Sequence, residues 1–354
     1  MRLGVTAALV EGALLPGDVE LVEGLVTGVG LERGPAAAGI AAPGFVDLQV
    51  NGFAGVDLQT ADGRGFQRVG EALLRGGVTA YRPTFITAPE HQLVTALRSL
   101  PVSAGGARIL GAHLEGPFIA PTRLGVHDPT GRRDPDLGLL ERLLGAGRVR
   151  QMTLAPELPG ALELIDALRA RGIVVACGHS DASPEDARRA FDRGARTVTH
   201  LFNAMPKEGG LAAAALARDD VTVQLIADGH HVPPELVRLA WRSAGGRLAL
   251  VSDAVAAAGM GDGEFHLGSV AVHARGGVVR RADGTLAGSA LTLRDAVANL
   301  HLLGVPLEHA LTAATAVPAW IAGTPRLGRL AVGQPADVIV LDDRLEVARV
   351  LLAA

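Results

Sequence analysis

Eight short apolar runs recur along the chain, and most are separated by segments with helical periodicity. The runs are rich in β-branched and aliphatic residues, as buried strands are, and several of the intervening segments end in glycine, as helices do. Eight successive strand–helix units favour a (β/α)8 TIM barrel, an α/β fold, over an open doubly wound sheet. The runs span residues 43–50, 78–85, 108–115, 149–157, 172–179, 196–201, 221–229 and 247–254.

The two ends of the chain have a different pattern, with short strand-like pieces between glycine and proline turns. This pattern fills residues 1–41 and returns in the segment GRLAVGQPADVIVL, residues 328–341. A chain of 354 residues suits one large domain with a small second one. We therefore predict a small β domain built from residues 1–41 and 328–354, beside a barrel domain of residues 42–327.

Composition excludes several classes of protein. The net charge of −4 gives no electrostatic reason to expect nucleic acid or an anionic membrane as a partner. The single cysteine, Cys177, excludes an intrachain disulfide and a cysteine-type zinc finger. The N-terminus lacks a signal-peptide pattern, and no apolar stretch approaches the ~18 residues of a membrane helix. We expect a soluble cytoplasmic protein.

Four of the apolar runs end in side chains that bind metals or carry protons: Glu115, His179, His200 and Asp253. In a barrel of parallel strands, active residues lie where the strands end, so these four ends surround one opening. Two imidazoles and one carboxylate supply three ligands for a Zn²⁺-like ion and leave a position for water, whose pKa the ion lowers towards ~7. A carboxylate that does not bind the metal can accept and return a proton, and Asp253 fits that role.

Each of these residues alone has a simpler interpretation, because a histidine or aspartate at a strand end often serves only as a cap. Four at matching ends are harder to explain in that way. Many barrel hydrolases carry His-x-His after the first strand, but this chain has Gln49 and Asn51 there. Amides are poor ligands for zinc, so we predict one metal ion rather than two. His113 is predicted to support Glu115 or to lie in the core, and Cys177 to pack in the core.

Nine segments, in this order, resemble the N-acetylglucosamine-6-phosphate deacetylases of the amidohydrolase superfamily, over residues 41 to 342. The resemblance implies a (β/α)8 barrel with a small β-sandwich formed from both termini. It also implies hydrolysis of the N-acetyl group of an amino-sugar phosphate to acetate and a free amine. The segments are PGFVDLQVNGFAG, GAHLEGPFI, TLAPE, CGHSDA, THLFNAM, IADGHHV, LVSDA, GTLAGSALTL and GQPADVIVLD.

The same motifs imply the roles of individual residues. Glu115, His179 and His200 are the implied metal ligands, and Asp253 is the implied acid and base for a metal-bound hydroxide. His127 is implied to polarise the acetyl carbonyl. His230 occupies a position that is aliphatic in the family, so His231 is the expected phosphate neighbour. The implied substrate-binding residues are His127, Asn203, Ala204, His231, Leu286, Ala287, Gly288 and Ser289.

One loop departs from the family pattern. After THLFNAM the family continues through a GREPG-like loop whose arginine reaches the substrate phosphate, often across a dimer. Here the loop reads PKEGGLAAAALA, which is shorter and lacks the arginine. Lys207, the only lysine in the chain, either replaces it as a point charge or is a solvated loop residue. The preference for a phosphate is therefore open.

The expected cofactor is one divalent metal ion per subunit, with Zn²⁺ favoured and Fe²⁺, Mn²⁺ or Co²⁺ as alternatives, because a His2Glu site accepts several metals. The expected partner is a small amino-sugar phosphate, and the resemblance implies a homodimer. Two other functions remain open: deacetylation of N-acetylgalactosamine 6-phosphate or an unphosphorylated sugar, and a barrel that binds ligands without catalysis.

Overall fold

The computed structural model describes residues 1–353. The strands are β1 Ala7–Val10, β2 Ala13–Pro16, β3 Asp18–Val22, β4 Leu25–Leu31, β5 Ile40–Pro43, β6 Phe45–Val50, β7 Gly52–Phe53, β8 Val56–Asp57, β9 Val78–Ile86, β10 Arg108–Ile109, β11 Ala112–Glu115, β12 Val149–Leu154, β13 Val174–Cys177, β14 Thr197–Val198, β15 Thr222–Leu225, β16 Leu248–Leu250, β17 Gly263–Leu267, β18 Val270–Arg275, β19 Val278–Arg280, β20 Val338–Leu341 and β21 Val347–Leu351.

The helices are α1 Gly63–Arg75, α2 Glu90–Ser99, α3 Leu137–Ala146, α4 Ala161–Ala170, α5 Pro184–Arg193, α6 Gly210–Leu216, α7 Pro234–Ala244, α8 Leu293–Leu302, α9 Leu307–Ala314 and α10 Ala316–Ile321. A short 3₁₀ helix, Gly245–Arg247, follows α7. Within residues 1–353, no helix combines the length and the apolar composition that crossing a membrane requires.

The predicted barrel is confirmed. Strands β6, β9, β11, β12, β13, β14, β15 and β16 pair in parallel in that order. A parallel bridge between Val50 and Ala254 joins the first of these strands to the segment after the last. Each of the eight predicted runs contributes one barrel strand, and the third is divided into β10 and β11 at Gly111, whose φ is +87°.

Most of the strands are shorter than the predicted runs, because several runs continue past the strand into the loop that follows, whereas β9 extends one residue beyond its run. The sixth run, for example, contains only the two-residue strand β14. The loop expected after THLFNAM is also shorter than predicted, since α6 begins at Gly210. Alanine has the highest helix propensity, and Leu211, Ala212 and Ala215 bury one face of α6, which explains the helix.

Local capping shows why the sequence forms helices between the strands. Helix α5 has a capping box, in which the Ser183 hydroxyl accepts from the Asp186 backbone N–H and the Asp186 carboxylate accepts from the Ser183 backbone N–H. Pro184 occupies its first turn, where no N–H is needed, and Gly194 ends it with a φ of +108°. These features fix where the helix begins and ends.

The predicted small β-sandwich is confirmed. Strands β2, β1, β5, β20 and β21 form one sheet, and β3 pairs with β4 in a second. Residues from both chain ends, including Leu3, Val5, Val26 and Val338, form a separate apolar core between these sheets. The glycine-rich insertion after β16 forms an antiparallel sheet of β17, β18 and β19, which has a small apolar core of its own.

Candidate active site

The four residues predicted to bind the metal or carry protons lie together at the carboxyl ends of the barrel strands. Glu115 is the last residue of β11, and His179, His200 and Asp253 lie just beyond β13, β14 and β16. The three residues beyond the strands have positive φ values of 49°, 28° and 51°, which residues other than glycine rarely adopt. Such backbone conformations persist only where the surrounding structure holds them, and they cluster at functional sites.

Three ligand atoms converge on one point. Glu115 Oε1 lies 2.8 Å from His200 Nε2 and 3.1 Å from His179 Nε2. The two imidazole nitrogens are themselves 3.1 Å apart. All three side chains are buried, and together they form a group of the kind that holds a metal ion. The structure thus brings together the three residues that the sequence predicted as ligands.

The hydrogen bonds around this triad fit a metal ion. His179 Nδ1 lies 2.7 Å from the carbonyl oxygen of Arg123, which can only accept, so the proton is on Nδ1 and Nε2 offers a lone pair. His200 Nε2 and Glu115 Oε1 lie within 3.1 Å of this nitrogen and of each other. One proton bridges only two such atoms, whereas a single divalent ion contacts all three at once.

The triad is a strongly coupled electrostatic unit. Burial alone would raise the pKa of Glu115, but its contacts with the His179 and His200 imidazoles outweigh burial and hold that pKa well below its usual range. Burial lowers the pKa of His200, and the Glu115 carboxylate outweighs this and leaves it raised. A carboxylate that stays ionised in a buried site is suited to bind a cation.

Asp253 is held beside the triad by two amides at the end of the first barrel strand, one within β6 and one just beyond it. Gln49 Nε2 donates to Asp253 Oδ1 at 3.0 Å and to Glu115 Oε2 at 3.1 Å. Asn51 Nδ2 donates to the same Asp253 oxygen at 2.7 Å. Burial, with a smaller contribution from the negative charge of Glu115, raises the pKa of Asp253 to about 6. A carboxyl group with a pKa close to neutrality can both accept and donate a proton.

The two amides also explain the absence of a His-x-His pair. The side-chain amides of Gln49 and Asn51 donate hydrogen bonds to carboxylate oxygens of Glu115 and Asp253. These positions therefore require hydrogen-bond donors rather than metal ligands. The positions of Gln49 and Asn51 were recognised in the sequence only as unsuitable for zinc. The structure shows that they orient the two acids of the site.

His127 lies over the triad on the loop after β11. Its ring centroid is 4.3 Å from that of His179, and its Nε2 is 3.9 Å from Glu115 Oε2. Its Nδ1 lies 2.9 Å from the hydroxyl of Thr87, which in turn lies 3.1 Å from the carbonyl oxygen of Glu115. Burial, with a smaller electrostatic contribution from the neighbouring His179 ring, holds the pKa of His127 well below its usual range, so the ring is neutral.

Thr87 is a site residue that the sequence did not reveal. It follows β9 directly, and a Cβ at Gly116 would approach its hydroxyl oxygen to 2.1 Å. Gly116, with a φ of +88°, is therefore required for Thr87 to reach His127. No spacing rule marks a threonine that acts through such a contact.

His113 is a buried supporting residue. Its ring lies between the hydroxyl groups of Thr84 and Thr153, at 3.3 Å and 2.7 Å. Burial lowers the pKa of His113 to about 3, so the ring is neutral. Cys177 is a buried free thiol in β13, which agrees with its predicted place in the core.

A pocket of roughly 420 Å³ opens above the triad. Its lining includes most of the predicted substrate-binding residues, namely His127, Asn203, Ala204, Lys207, His231, Leu286 and Gly288. Ala287 and Ser289 are buried behind it, and among the described residues they are not part of the lining. The Ser289 backbone N–H donates to the carbonyl of Asp253 at 2.8 Å, so this segment supports Asp253.

The amidohydrolase family profile matches residues 40–353, which is most of the chain. This chain belongs to the amidohydrolase family. Two relatives of this amidohydrolase are the N-acetylglucosamine-6-phosphate deacetylases of Homo sapiens, 38% identical over 89% of this chain and 83% of the relative, and of Vibrio furnissii, 36% identical over 87% and 80%. The N-acetylgalactosamine-6-phosphate deacetylase of Escherichia coli is 37% identical over 87% of this chain and 85% of the relative.

Solved structures of the same kind superpose closely on this amidohydrolase. A mutant N-acetyl-D-glucosamine-6-phosphate deacetylase from Mycobacterium smegmatis, in complex with N-acetyl-D-glucosamine-6-phosphate, has a TM-score of 0.94 and 37% identity over 100% of this chain and 98% of that chain. The N-acetylglucosamine-6-phosphate deacetylase from Thermotoga maritima has a TM-score of 0.90 and 30% identity over 100% and 98%.

Proposed function

We propose that this amidohydrolase removes the N-acetyl group of N-acetylglucosamine 6-phosphate, giving glucosamine 6-phosphate and acetate. The observation that carries the proposal is the convergence of Glu115, His179 and His200 on one point, with Asp253 and His127 beside them in one pocket. These are the groups that hydrolysis of an amide needs. The names of the relatives support the choice of substrate.

Glu115, His179 and His200 would hold one divalent ion, for which we propose Zn²⁺, with Fe²⁺, Mn²⁺ or Co²⁺ as alternatives. When bound, the ion supplies a Lewis acid that polarises the acetyl carbonyl and makes a water molecule more acidic. The amides of Gln49 and Asn51, at the end of the first strand, are committed to Glu115 and Asp253 and offer no imidazole ligand for a second ion, which supports a single-metal site.

We assign the proton transfers to Asp253. Its Oδ1 is occupied by the amides of Gln49 and Asn51, so Oδ2 is the oxygen available to the reacting groups. The carboxylate accepts the proton that the attacking water loses as the C–O bond forms. It then returns this proton to the amine nitrogen as the C–N bond breaks. The pKa of about 6 suits both steps at neutral pH.

His127 is proposed to donate a hydrogen bond to the acetyl carbonyl. Because the ring is neutral, it can donate from Nε2 only if Nδ1 accepts a hydrogen bond. In the structure the Thr87 hydroxyl lies 2.9 Å from Nδ1 and donates to the Glu115 carbonyl, so donation from Nε2 requires this hydroxyl to turn its proton to His127 Nδ1 when the substrate binds. The carbonyl oxygen then gains a donor where negative charge develops.

The rest of the pocket is proposed to bind the sugar. Asn203 and Ala204 lie on the turn after His200, and the Asn203 side chain is anchored by donating to the His200 carbonyl at 3.1 Å. Leu286, Ala287, Gly288 and Ser289 form the opposite side or support it, and His231 and Lys207 face the phosphate.

The test is an acetate-release assay with a measured metal content. We expect equal amounts of acetate and glucosamine 6-phosphate, and about one metal ion per chain. A protein that carries metal and binds the sugar phosphate, yet releases no acetate, would be the non-catalytic binding barrel.

N-Acetylgalactosamine 6-phosphate is a second candidate substrate, because the deacetylase of Escherichia coli named for it is as similar to this chain as the glucosamine enzymes are. The two sugars differ only in the configuration at C4. Parallel kcat/KM measurements on the two epimers decide between them, and we expect the glucosamine epimer to be the better substrate.

The remaining assignments concern the whole molecule. We propose that residues 1–41 and 328–354 form one domain and residues 42–327 the other, since every member of the apolar core of the sandwich lies in the first set. We also propose a cytoplasmic homodimer, supported by the resemblance. Sedimentation analysis of the purified protein tests the dimer.

A further inference from the structure

The insertion after β16 reaches the active-site pocket. Leu267, the last residue of β17, lines the pocket together with Ile86 and Val126. All three side chains are buried, with exposures of 2%, 3% and 8% respectively. They belong to the apolar core of the insertion sheet, which also contains Val255 and Val272. One side of the pocket is therefore made of packed apolar side chains, and part of it comes from the insertion.

This apolar side adjoins the histidine that is assigned to the substrate carbonyl. Val126 directly precedes His127 in the chain. Ile86 directly precedes Thr87, whose hydroxyl lies 2.9 Å from His127 Nδ1. Both apolar residues are thus held next to the position of the reacting amide.

The geometry of an amide indicates what this side of the pocket receives. The carbonyl carbon has three substituents in one plane, namely the oxygen, the nitrogen and the first carbon of the acyl group. His127 is assigned to the oxygen and Asp253 to the nitrogen. The acyl group extends away from both atoms, and the side formed by Ile86, Val126 and Leu267 offers it an apolar surface.

A polar turn after β8 holds the two ends of this apolar side. Gln59 Oε1 accepts the backbone N–H of Ile86 at 2.9 Å. Asp57 Oδ1 accepts the backbone N–H of Gln59 at 3.0 Å. Asp57 Oδ2 accepts the backbone N–H of Gly268, the residue after Leu267, at 2.8 Å. The turn therefore ties the end of β9 to the end of β17 and restricts the separation of Ile86 and Leu267.

A packed apolar surface in this position limits the length of the acyl chain. Close-packed side chains yield little, so an added methylene displaces its neighbours at a cost in free energy. Apolar pockets separate substrates that differ by one methylene by about 10- to 200-fold. An acyl group that ends in a carboxylate is also disfavoured, because its charge would be buried in the same pocket as Glu115 and Asp253.

We propose that Ile86, Val126 and Leu267 form an acyl wall, which restricts this amidohydrolase to the formyl and acetyl amides of its sugar phosphate. The proposal rests on the proposed function, since it concerns which acyl group the same reaction removes. Water adds to the acyl carbon and the C–N bond breaks, whichever acyl group is present, and a carboxylic acid and the amine are released. The acyl wall gives the insertion sheet a role in substrate selection.

The first measurement is kcat/KM of the metal-loaded wild-type protein on four amides of glucosamine 6-phosphate, followed by the amine released. The amides are N-formyl, N-acetyl, N-propionyl and N-butyryl. We expect kcat/KM to fall about tenfold or more for each methylene beyond acetyl. A butyryl amide that is hydrolysed as well as the acetyl amide would overturn the acyl wall.

Two substitutions should change the preference in opposite directions. Leu267→Ala enlarges the space, so the butyryl-to-acetyl ratio of kcat/KM should rise about ten- to hundredfold. Val126→Ile adds a methylene, so the acetyl-to-formyl ratio should fall about tenfold. Each ratio is measured on one protein sample and does not depend on the fraction that folds. If Leu267→Ala yields no folded protein, Ile86→Val takes its place and should raise the propionyl-to-acetyl ratio.

The matched control is Ile226→Ala, which truncates an equally buried apolar residue that lines the pocket just beyond β15. It should leave all the acyl ratios unchanged. Unchanged ratios in folded Leu267→Ala, or a gain of butyryl hydrolysis in Ile226→Ala instead, would overturn the proposal. Failure of the proposed function has a different signature, since metal-loaded wild-type protein would then release amine from none of the four amides.

Discussion

The two ends of the active-site pocket are built in different ways. At the buried end, Glu115, His179 and His200 lie at or just beyond barrel strands, and each side chain makes at least one hydrogen bond. At the open end, Lys207 and His230 lie on turns and are exposed, and their side chains have no hydrogen bond or ion pair among residues 1–353. One end is rigid before a ligand arrives, and the other acquires its contacts from the ligand.

This difference separates the residues that carry out the reaction from those that select the substrate. A reaction centre gains from groups that are already oriented, because no reorganisation is then needed in the transition state. A subsite for a phosphate that is remote from the reaction centre needs only a positively charged side chain long enough to contact it. We therefore expect substitutions at the buried end to lower kcat, and those at the opening to change KM and substrate preference.

The largest effect is expected from Asp253→Asn. The amide cannot accept the proton of the attacking water, so kcat should fall about a thousandfold. The metal content should stay at the wild-type value, because Asp253 is not one of the three converging ligands. Metal analysis and steady-state kinetics check both points.

A matched control is Asp343→Asn, which changes an exposed aspartate on the turn between β20 and β21 and should have wild-type kinetics. Near-normal activity of the Asp253 variant would remove it as the base. Loss of metal together with activity would instead make Asp253 a ligand.

The next largest effect is expected at Thr87. Thr87→Val keeps the shape of the side chain and removes the hydroxyl that bonds to His127, so kcat should fall about ten- to hundredfold, as is typical when an orienting partner is lost. Thr87→Ser restores the hydroxyl and should recover most of the activity. Equal activities of the valine and serine variants would show that the tautomer of His127 does not depend on this contact.

A moderate effect is expected from pH. Because Asp253 must be ionised to act as a base and its pKa is about 6, kcat/KM should fall about tenfold for each pH unit below 6. The hydrogen bond from Asn51 favours the ionised form and lowers this pKa. Asn51→Leu should therefore move the acidic limb to higher pH, by about one unit. A limb that stays in place, or moves to lower pH, would contradict the assigned role.

The same division explains what the sequence could predict. Glu115, His179, His200 and Asp253 each end an apolar run, and parallel strands bring such ends together, so the triad followed from the pattern of runs. The positive φ angles after the strands left no trace in the pattern, because the residues that adopt them are not glycine.

The sequence also did not reveal which side chains make contact between strands that are far apart in the chain. Gln49 and Asp253 are 204 positions apart, and their hydrogen bond exists only because the barrel closes between the first and last strands. A pattern of strands predicts that closure but not which side chain donates to which. The role of Thr87 depends in the same way on the space that Gly116 leaves.

The smallest effect is expected from Arg123→Met. Arg123 lines the same pocket as Lys207 and His230, but its charge is already paired with Asp181. Asp181 already binds the Arg123 guanidinium, so the substrate gains little from it, and KM for the phosphorylated sugar should rise by less than about threefold. The Arg123 carbonyl, which holds His179, belongs to the backbone and persists in the variant. A rise in KM of about tenfold or more would mean that Arg123 leaves Asp181 for the phosphate, and that an ion pair in the free protein does not predict which cations remain available to the ligand.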